Sequence, residues 1–352
     1  MKTGVANLPL HYGECPKWLF SKMKELSGWI IEWIVQEFGE DGFLEKTSDP
    51  FWFQAFGCCL GFDWHSSGLT TTVCGAVKEG IKDRNLGIWV CGGKGKVSRK
   101  TPDEIKETGG RFSIPVDTLI YASRLSAKVD TTALQDGYQL YHHTFIFTKN
   151  KWAVIQQGMN TETRLARRYH WLSYPGINFV SEPHKAICCN RKGNVLNMVA
   201  FESKDAREIS TITSKEKPDI IMNEIERLKT LNLPKHHQIF LSGIDKKRLK
   251  TILLKTYEKK PNDFEGLLAI NGVGPKTMRA LSLISELIYG KPPSYKDPVR
   301  FSFSHGGKDG YPYPIDRDGY ERSIEILKDA ISHAKIGDYE KMRVIKRLGL
   351  LV

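Results

Sequence analysis

The side chains able to do chemistry gather in the first half of the sequence. Asp63 and His65 lie two apart in Gly61-Phe-Asp-Trp-His-Ser-Ser-Gly68, a polar, aromatic stretch punctuated by glycine. On an extended backbone, residues two apart share a face. A carboxylate and an imidazole placed so can hold a divalent metal, Mg²⁺ or Mn²⁺, or pass a proton. They can equally be a turn residue and a satisfied histidine. Asp130, Asp136, His142 and His143 follow. Adjacent histidines on a strand point to opposite faces, so at most one of His142 and His143 faces a common site. Cations are interleaved with these groups: Lys94 and Lys96 in Cys91-Gly-Gly-Lys-Gly-Lys96, Arg124 and Lys128 in Ser123-Arg-Leu-Ser-Ala-Lys128, then Arg164, Arg167 and Arg168. Cleaving a phosphodiester needs an activated nucleophile, neutralised phosphate charge and an acid for the leaving oxygen. Asp63, His65, Asp130, Asp136, His142, His143 and Lys94 are the acid–base or metal groups for that chemistry. Lys96, Arg124, Lys128 and the three arginines are its phosphate clamps. The Gly-Lys loop lacks Walker spacing.

These groups need elements to hold them. Apolar spacing predicts helices over Lys17–Phe38 and Pro50–Gly57, with the Asp63 loop after the second. A strand over Leu86–Val90 feeds the Gly-Lys loop. Val116–Gly137 reads as helical. Tyr138–Phe147 and Trp152–Gln157 form a hairpin about a turn at Thr148–Lys151. Asn160 or Thr161 can cap a following helix, in which spacings of three and four set Arg164, Arg167 and Arg168 on one face. Sheet-like segments recur at Phe179–Cys189 and Leu196–Phe201. Glu182, His184, Cys188 and Cys189 crowd there, as a transition-metal set or as buried structural residues. Beyond a charged stretch at 200–218, helices are expected at Lys217–Leu231, Lys246–Tyr257, Glu265–Tyr289, Arg317–His333 and Tyr339–Leu348. The fold class is therefore α+β. A mixed domain with a small sheet spans residues 1–205, a helical linker 206–235, and an all-α domain 236–352.

Composition bounds the function. The 352 residues are 40% hydrophobic and carry a net charge of +12, which favours a polyanionic partner and excludes a disordered chain. Met1–Pro9 lacks the apolar segment of a signal peptide, and no run is long enough to span a membrane. Seven cysteines without Cys-x-x-Cys spacing read as reduced, buried thiols of a cytoplasmic protein.

Gly266–Ala280 reads as a short apolar helix, a turn with Gly272 and Gly274 around Val273, and a second helix opened by Pro275. It resembles a helix-hairpin-helix. Its glycines let backbone approach a DNA phosphate, and the helix N-terminus favours an anion. Gly272, Val273, Gly274, Lys276 and Thr277 would make those contacts, without strong sequence preference. Residues 115–172 resemble in pattern the fold of partition protein B and sulfiredoxin. The Gly-His/Glu-Arg-Arg signature there is replaced by Gly158-Met-Asn-Thr-Glu-Thr-Arg164, so no roles carry over.

Longer blocks carry a second resemblance: Asp49-Pro-Phe-Trp-Phe-Gln-Ala-Phe-Gly57, Gly61–Gly68, Gly92–Lys96, Ser123–Asp130, Gln135–His143, Gln156–Asn160 and Ala166–Trp171. The chain resembles a prokaryotic family catalogued as a domain of unknown function, which joins a unique N-terminal domain to a helix-hairpin-helix and is held to include DNA nucleases. The resemblance implies a DNA nuclease; with the hairpin and the polar residues upstream, the expectation is a structure-selective enzyme that hydrolyses phosphodiesters in branched, bubble or single-stranded DNA during repair. Two alternatives stand: a non-enzymatic repair adaptor, and a base-excision glycosylase using Asp297, which follows the hairpin by roughly the distance that superfamily uses. Repair proteins are expected partners, and a homodimer would double the few phosphate contacts of one hairpin.

Overall fold

Alternating side chains over residues 139–172 build three long neighbouring strands, and the rest of the chain packs on their two faces. The computed structural model describes residues 15–62, 67–112, 114–189, 191–229, 245–300 and 317–349. One five-stranded antiparallel sheet has the spatial order β1 (Trp89–Lys94), β3 (Gln139–Phe147), β4 (Trp152–Asn160), β5 (Leu165–Leu172) and β6 (Ala186–Cys188). A second, two-stranded sheet pairs β2 (Leu134–Gln135) with β7 (Leu196–Asn197). The expected α+β class holds. The β3–β4 hairpin closes where Phe147 faces Trp152. Thr148 Oγ1 accepts from the N–H groups of Asn150 and Lys151 in that turn.

One sheet face carries Phe145, Phe147, Val154, Tyr169 and Trp171. It packs under α4 (Thr101–Phe112) and α5 (Val116–Lys128), in a core that runs on through α6 (Lys204–Thr213), α7 (Pro218–Lys229), α8 (Lys246–Lys259), α9 (Phe264–Ala269) and α10 (Pro275–Leu287). The other face carries Ile146, Ala153 and Ile155. It packs under α1 (Lys17–Ser48), α2 (Pro50–Cys59) and α3 (Gly68–Ile81), joined by α11 (Arg317–His333) and α12 (Asp338–Gly349). Both cores thus draw side chains from before residue 205 and from after residue 245. The first helix runs past its expected end because it bends at Gly39, with φ 73°, and resumes. Asp49 caps α2 by accepting from the N–H groups of Phe51 and Trp52.

Two expectations need correction. Arg164, Arg167 and Arg168 do not share a helix face. Asn160 caps a tight turn instead, accepting from Glu162 and Thr163. Arg164 sits in that turn at φ 54°, and the other two lie on strand β5. Successive strand residues point oppositely, so Arg167 joins the Tyr169 face and Arg168 the His170 face, both buried. The helix expected over Val116–Gly137 stops at Lys128. A π-helical turn, Val129–Ala133, follows and delivers the chain into β2.

Gly92 lets β1 pass close against β3 and the start of α4. Its φ is 87°, and a Cβ there would run into the His143 carbonyl oxygen and Thr101 Oγ1. Glu104 accepts from the Gly92 N–H, and Lys78 donates to both Glu104 and the Gly92 carbonyl. Gly92→Ala should lose about 2–4 kcal/mol of unfolding free energy through the left-handed backbone and the clash. Urea denaturation checks this, and a midpoint unchanged from wild type would contradict the close approach.

Candidate functional site

The π-turn after α5 carries Asp130 into the interior, with its side chain fully buried. One carboxylate oxygen meets His184 Nε2 at 2.5 Å. The other accepts from Trp171 Nε1 at 2.9 Å and from Gln156 Nε2 at 2.6 Å. A carboxylate can only accept, so the Gln156 amide nitrogen faces it and the amide oxygen points away. That oxygen lies 3.0 Å from His143 Nδ1 and accepts a hydrogen bond from its N–H. His143 is therefore held as the Nδ1–H tautomer. Its Nε2 lone pair accepts from Ser123 Oγ at 2.9 Å. Burial pushes the His143 pKa down, against the upward pull of Gln156 and Asp130, and keeps the ring neutral.

Ser123, His143 and Gln156 open onto a cleft of about 980 Å³ between α5 and the edge of the sheet. The edge is open because β1 ends at Lys94, opposite His142. The cleft accordingly reaches both histidines although they belong to opposite faces. His142 Nε2 meets Thr144 Oγ1 at 2.9 Å, while His142 Nδ1 has no hydrogen-bond partner among the described residues. Arg99, Arg124 and Lys128 give the cleft positive charge. Lys128 Nζ donates to the Ile270 carbonyl at 3.1 Å, and burial lowers its pKa. Of the residues singled out in the sequence, the cleft gathers His142, His143, Arg124 and Lys128, with Asp130 behind His143.

Others go elsewhere. The Gly-Lys stretch is not a loop: Lys94 is the last residue of β1 and Lys96 lies in the 3-10 turn Gly95–Lys100 that leads to the cleft rim, both exposed. Asp136 accepts from Arg167 at 2.9 Å and from the Tyr169 hydroxyl at 2.7 Å. Arg167 also donates to Asp297 at 2.7 Å, and Asp297 accepts from the backbone N–H groups of Gly193 and Val299. Arg168 points into the opposite core, donating to His170 Nε2, Gln54, Thr70 and the Pro50 carbonyl. Asp63 and His65 lie outside the described residues. Glu182, His184, Cys188 and Cys189 do not converge: His184 turns to Asp130, and Cys189 Sγ lies 3.2 Å from the Tyr138 hydroxyl. Among the described residues no three His, Cys, Asp or Glu side chains are grouped to hold a metal. Ser123 and Gln156 were given no role by sequence reasoning, and His184 only a place in that set.

The Gly266–Ala280 stretch forms α9, a tight turn and α10. Gly272 adopts φ 100°, Gly274 is the N-cap of α10 and Pro275 opens it. Val273 and Thr277 are buried and anchor the turn, while Lys276 is exposed. A pocket of about 380 Å³ opens at this helix start, lined by Arg248, Lys276 and Arg279 with Gly272 and Gly274. Asn271, one residue before Gly272, lines the larger cleft.

A family described as protein of unknown function (DUF763) matches residues 4–315, and the chain belongs to it. No curated protein and no solved structure matches the chain. No helix among the described residues is long and apolar enough to cross a membrane.

The buried histidines set a pH dependence. His142 is pushed down to about 3, by burial first and then by His143 and Lys94, and burial also lowers His143 and His170. Below the ordinary value of 6.5 the unfolded chain binds protons that the folded chain refuses. Stability should be complete above pH 6.5 and fall as the pH drops, by up to about 1.4 kcal/mol per pH unit for each such histidine. Urea midpoints measured from pH 7.5 down to 5 check it; a flat profile would contradict neutral burial.

Proposed function

We propose that this protein is a structure-selective DNA nuclease that hydrolyses phosphodiesters in the Ser123–His143 cleft. One observation carries the reading: in the same turn Asn271 lines that cleft, while Gly272 and Gly274 line the cation-lined pocket at the start of α10. A helix-hairpin-helix grips a DNA phosphate by close backbone approach and a helix N-terminus. Arg248 and Lys276 add charge at that grip. Lys128 Nζ donates to the Ile270 carbonyl just before that turn, so a strand gripped there would run towards the cleft that Arg124, Lys128 and His143 line. Neutral His143, with its Nδ1–H fixed, is the base. The net charge of +12 supports a DNA partner. Asp63 and His65 remain the pair proposed for Mg²⁺ or Mn²⁺. A dimer would double the phosphate contacts. The glycosylase reading gains no support, because Asp297 is already bound by Arg167 and two backbone N–H groups.

Purified protein is expected to nick forked or bubble DNA, with EDTA reporting any metal requirement. Replacing Arg248 and Lys276 by Ala should weaken binding evenly across sequences and lower the salt slope by roughly 1 per lost phosphate contact. His143→Ala should abolish cutting while binding persists. Absence of cleavage with every metal tried, alongside intact binding, would leave the adaptor instead.

A further inference from the structure

We propose that the nucleophile in this cleft is Ser123 Oγ, and that cleavage passes through a phosphoserine-linked DNA intermediate. This rests on the nuclease reading and specifies how the bond breaks.

The geometry of four side chains argues for it. A serine hydroxyl is a weak nucleophile until a base takes its proton. Here the base is within hydrogen-bond reach, 2.9 Å from Oγ, and its lone pair can point nowhere else. The Gln156 oxygen claims the Nδ1 proton, and Asp130 fixes which end of Gln156 faces His143. Asp130 in turn is held by His184 and Trp171, so no member of the chain can rotate without losing a partner. A base oriented by another group, itself oriented by a buried carboxylate, follows the general logic of an activated nucleophile. Ser123 and His143 both face the cleft, and Arg124 and Lys128 of the same helix line it. A core serine satisfied for packing alone would need neither that opening nor those cations.

The step balances. Ser123 Oγ attacks phosphorus as its proton passes to His143 Nε2. The bond from phosphorus to the leaving sugar oxygen breaks on the opposite side, and that oxygen takes a proton from the Lys128 ammonium. The alcohol end departs and the other strand end stays esterified to Ser123. Water then enters from the vacated side and gives its proton to the Lys128 amine. The Ser123 Oγ–phosphorus bond breaks, and the His143 imidazolium returns its proton to Oγ. Water is consumed, and one diester becomes a monoester and an alcohol. Lys128 lines the cleft beside Ser123 and His143, and burial lowers its pKa, which favours giving up the proton.

Two in-line displacements retain configuration at phosphorus, and one inverts it. The test uses the full chain and a forked DNA with a stereopure phosphorothioate at the mapped cut, hydrolysed in ¹⁸O-water. Retention is expected, with a ³²P-labelled protein–DNA adduct surviving a denaturing quench. Ser123→Ala should cut roughly 10³-fold more slowly or worse and form no adduct. Wild-type stereochemistry needs no variant, so the inference stays testable if Ser123→Ala fails to fold. Inversion, or a folded Ser123→Ala that cuts at the wild-type rate, overturns the serine nucleophile and leaves the nuclease intact. No cutting by wild type of any DNA removes the parent reading and this one with it.

Discussion

The buried carboxylate of Asp130 constrains the middle of the molecule. Taking an ionised carboxyl out of water costs several kcal/mol unless donors replace the lost hydration. Asp130 has three, from β4, β5 and the segment before β6. Satisfying them all requires the chain to enter the interior just after α5. The wide π-turn makes that possible where a regular helix end would not. The end of α5 is thereby pinned to the sheet, and Ser123, two turns back, is set against His143. The geometry of the cleft is a by-product of neutralising one charge.

Two arginines extend the same logic to β5. Arg167 ties its strand to Asp136 and to Asp297, which lies beyond α10. Arg168, its neighbour, reaches through the opposite face to α2 and α3. A strand carrying guanidinium groups on both faces is viable only when their donors find acceptors: two carboxylates for Arg167, and Gln54, Thr70, His170 and the Pro50 carbonyl for Arg168. The hairpin turn and the cleft are therefore anchored to one rigid centre, with Arg167 bridging from β5 to the segment after α10.

Helices and the β3–β4 hairpin were legible because their apolar periodicity reflects one-sided burial, as in Leu26, Ile30 and Ile34 of α1. Strand β5 was not, since Leu-Ala-Arg-Arg-Tyr-His-Trp-Leu alternates between two interiors and its charges look like those of an exposed helix. Only the partners Asp136, Asp297 and Gln54, distant in sequence, reveal that these arginines are inside. His142 and His143 were visible as a pair on a strand. Ser123 was not, because a serine in an amphipathic helix looks ordinary until the strand opposite is known. Gln156-Gln157 offered a faint signal: adjacent amides in an otherwise apolar strand need buried partners. The Asp63–His65 loop lies outside the described residues, though the neighbouring Ser67 carbonyl accepts from Gln157, the strand partner of His142.

The placement of α11 and α12 against α1 and α2 bears on how the chain is made. Leu327, Ile331 and Val344 complete a core begun by Met23 and Phe43, some three hundred residues earlier. During synthesis the first helices leave the ribosome long before their last partners do. Non-local contacts of this kind slow folding and leave apolar surface uncovered in the interval. The first helices thus wait, with apolar surface uncovered, for the final helices to close the core on that face of the sheet.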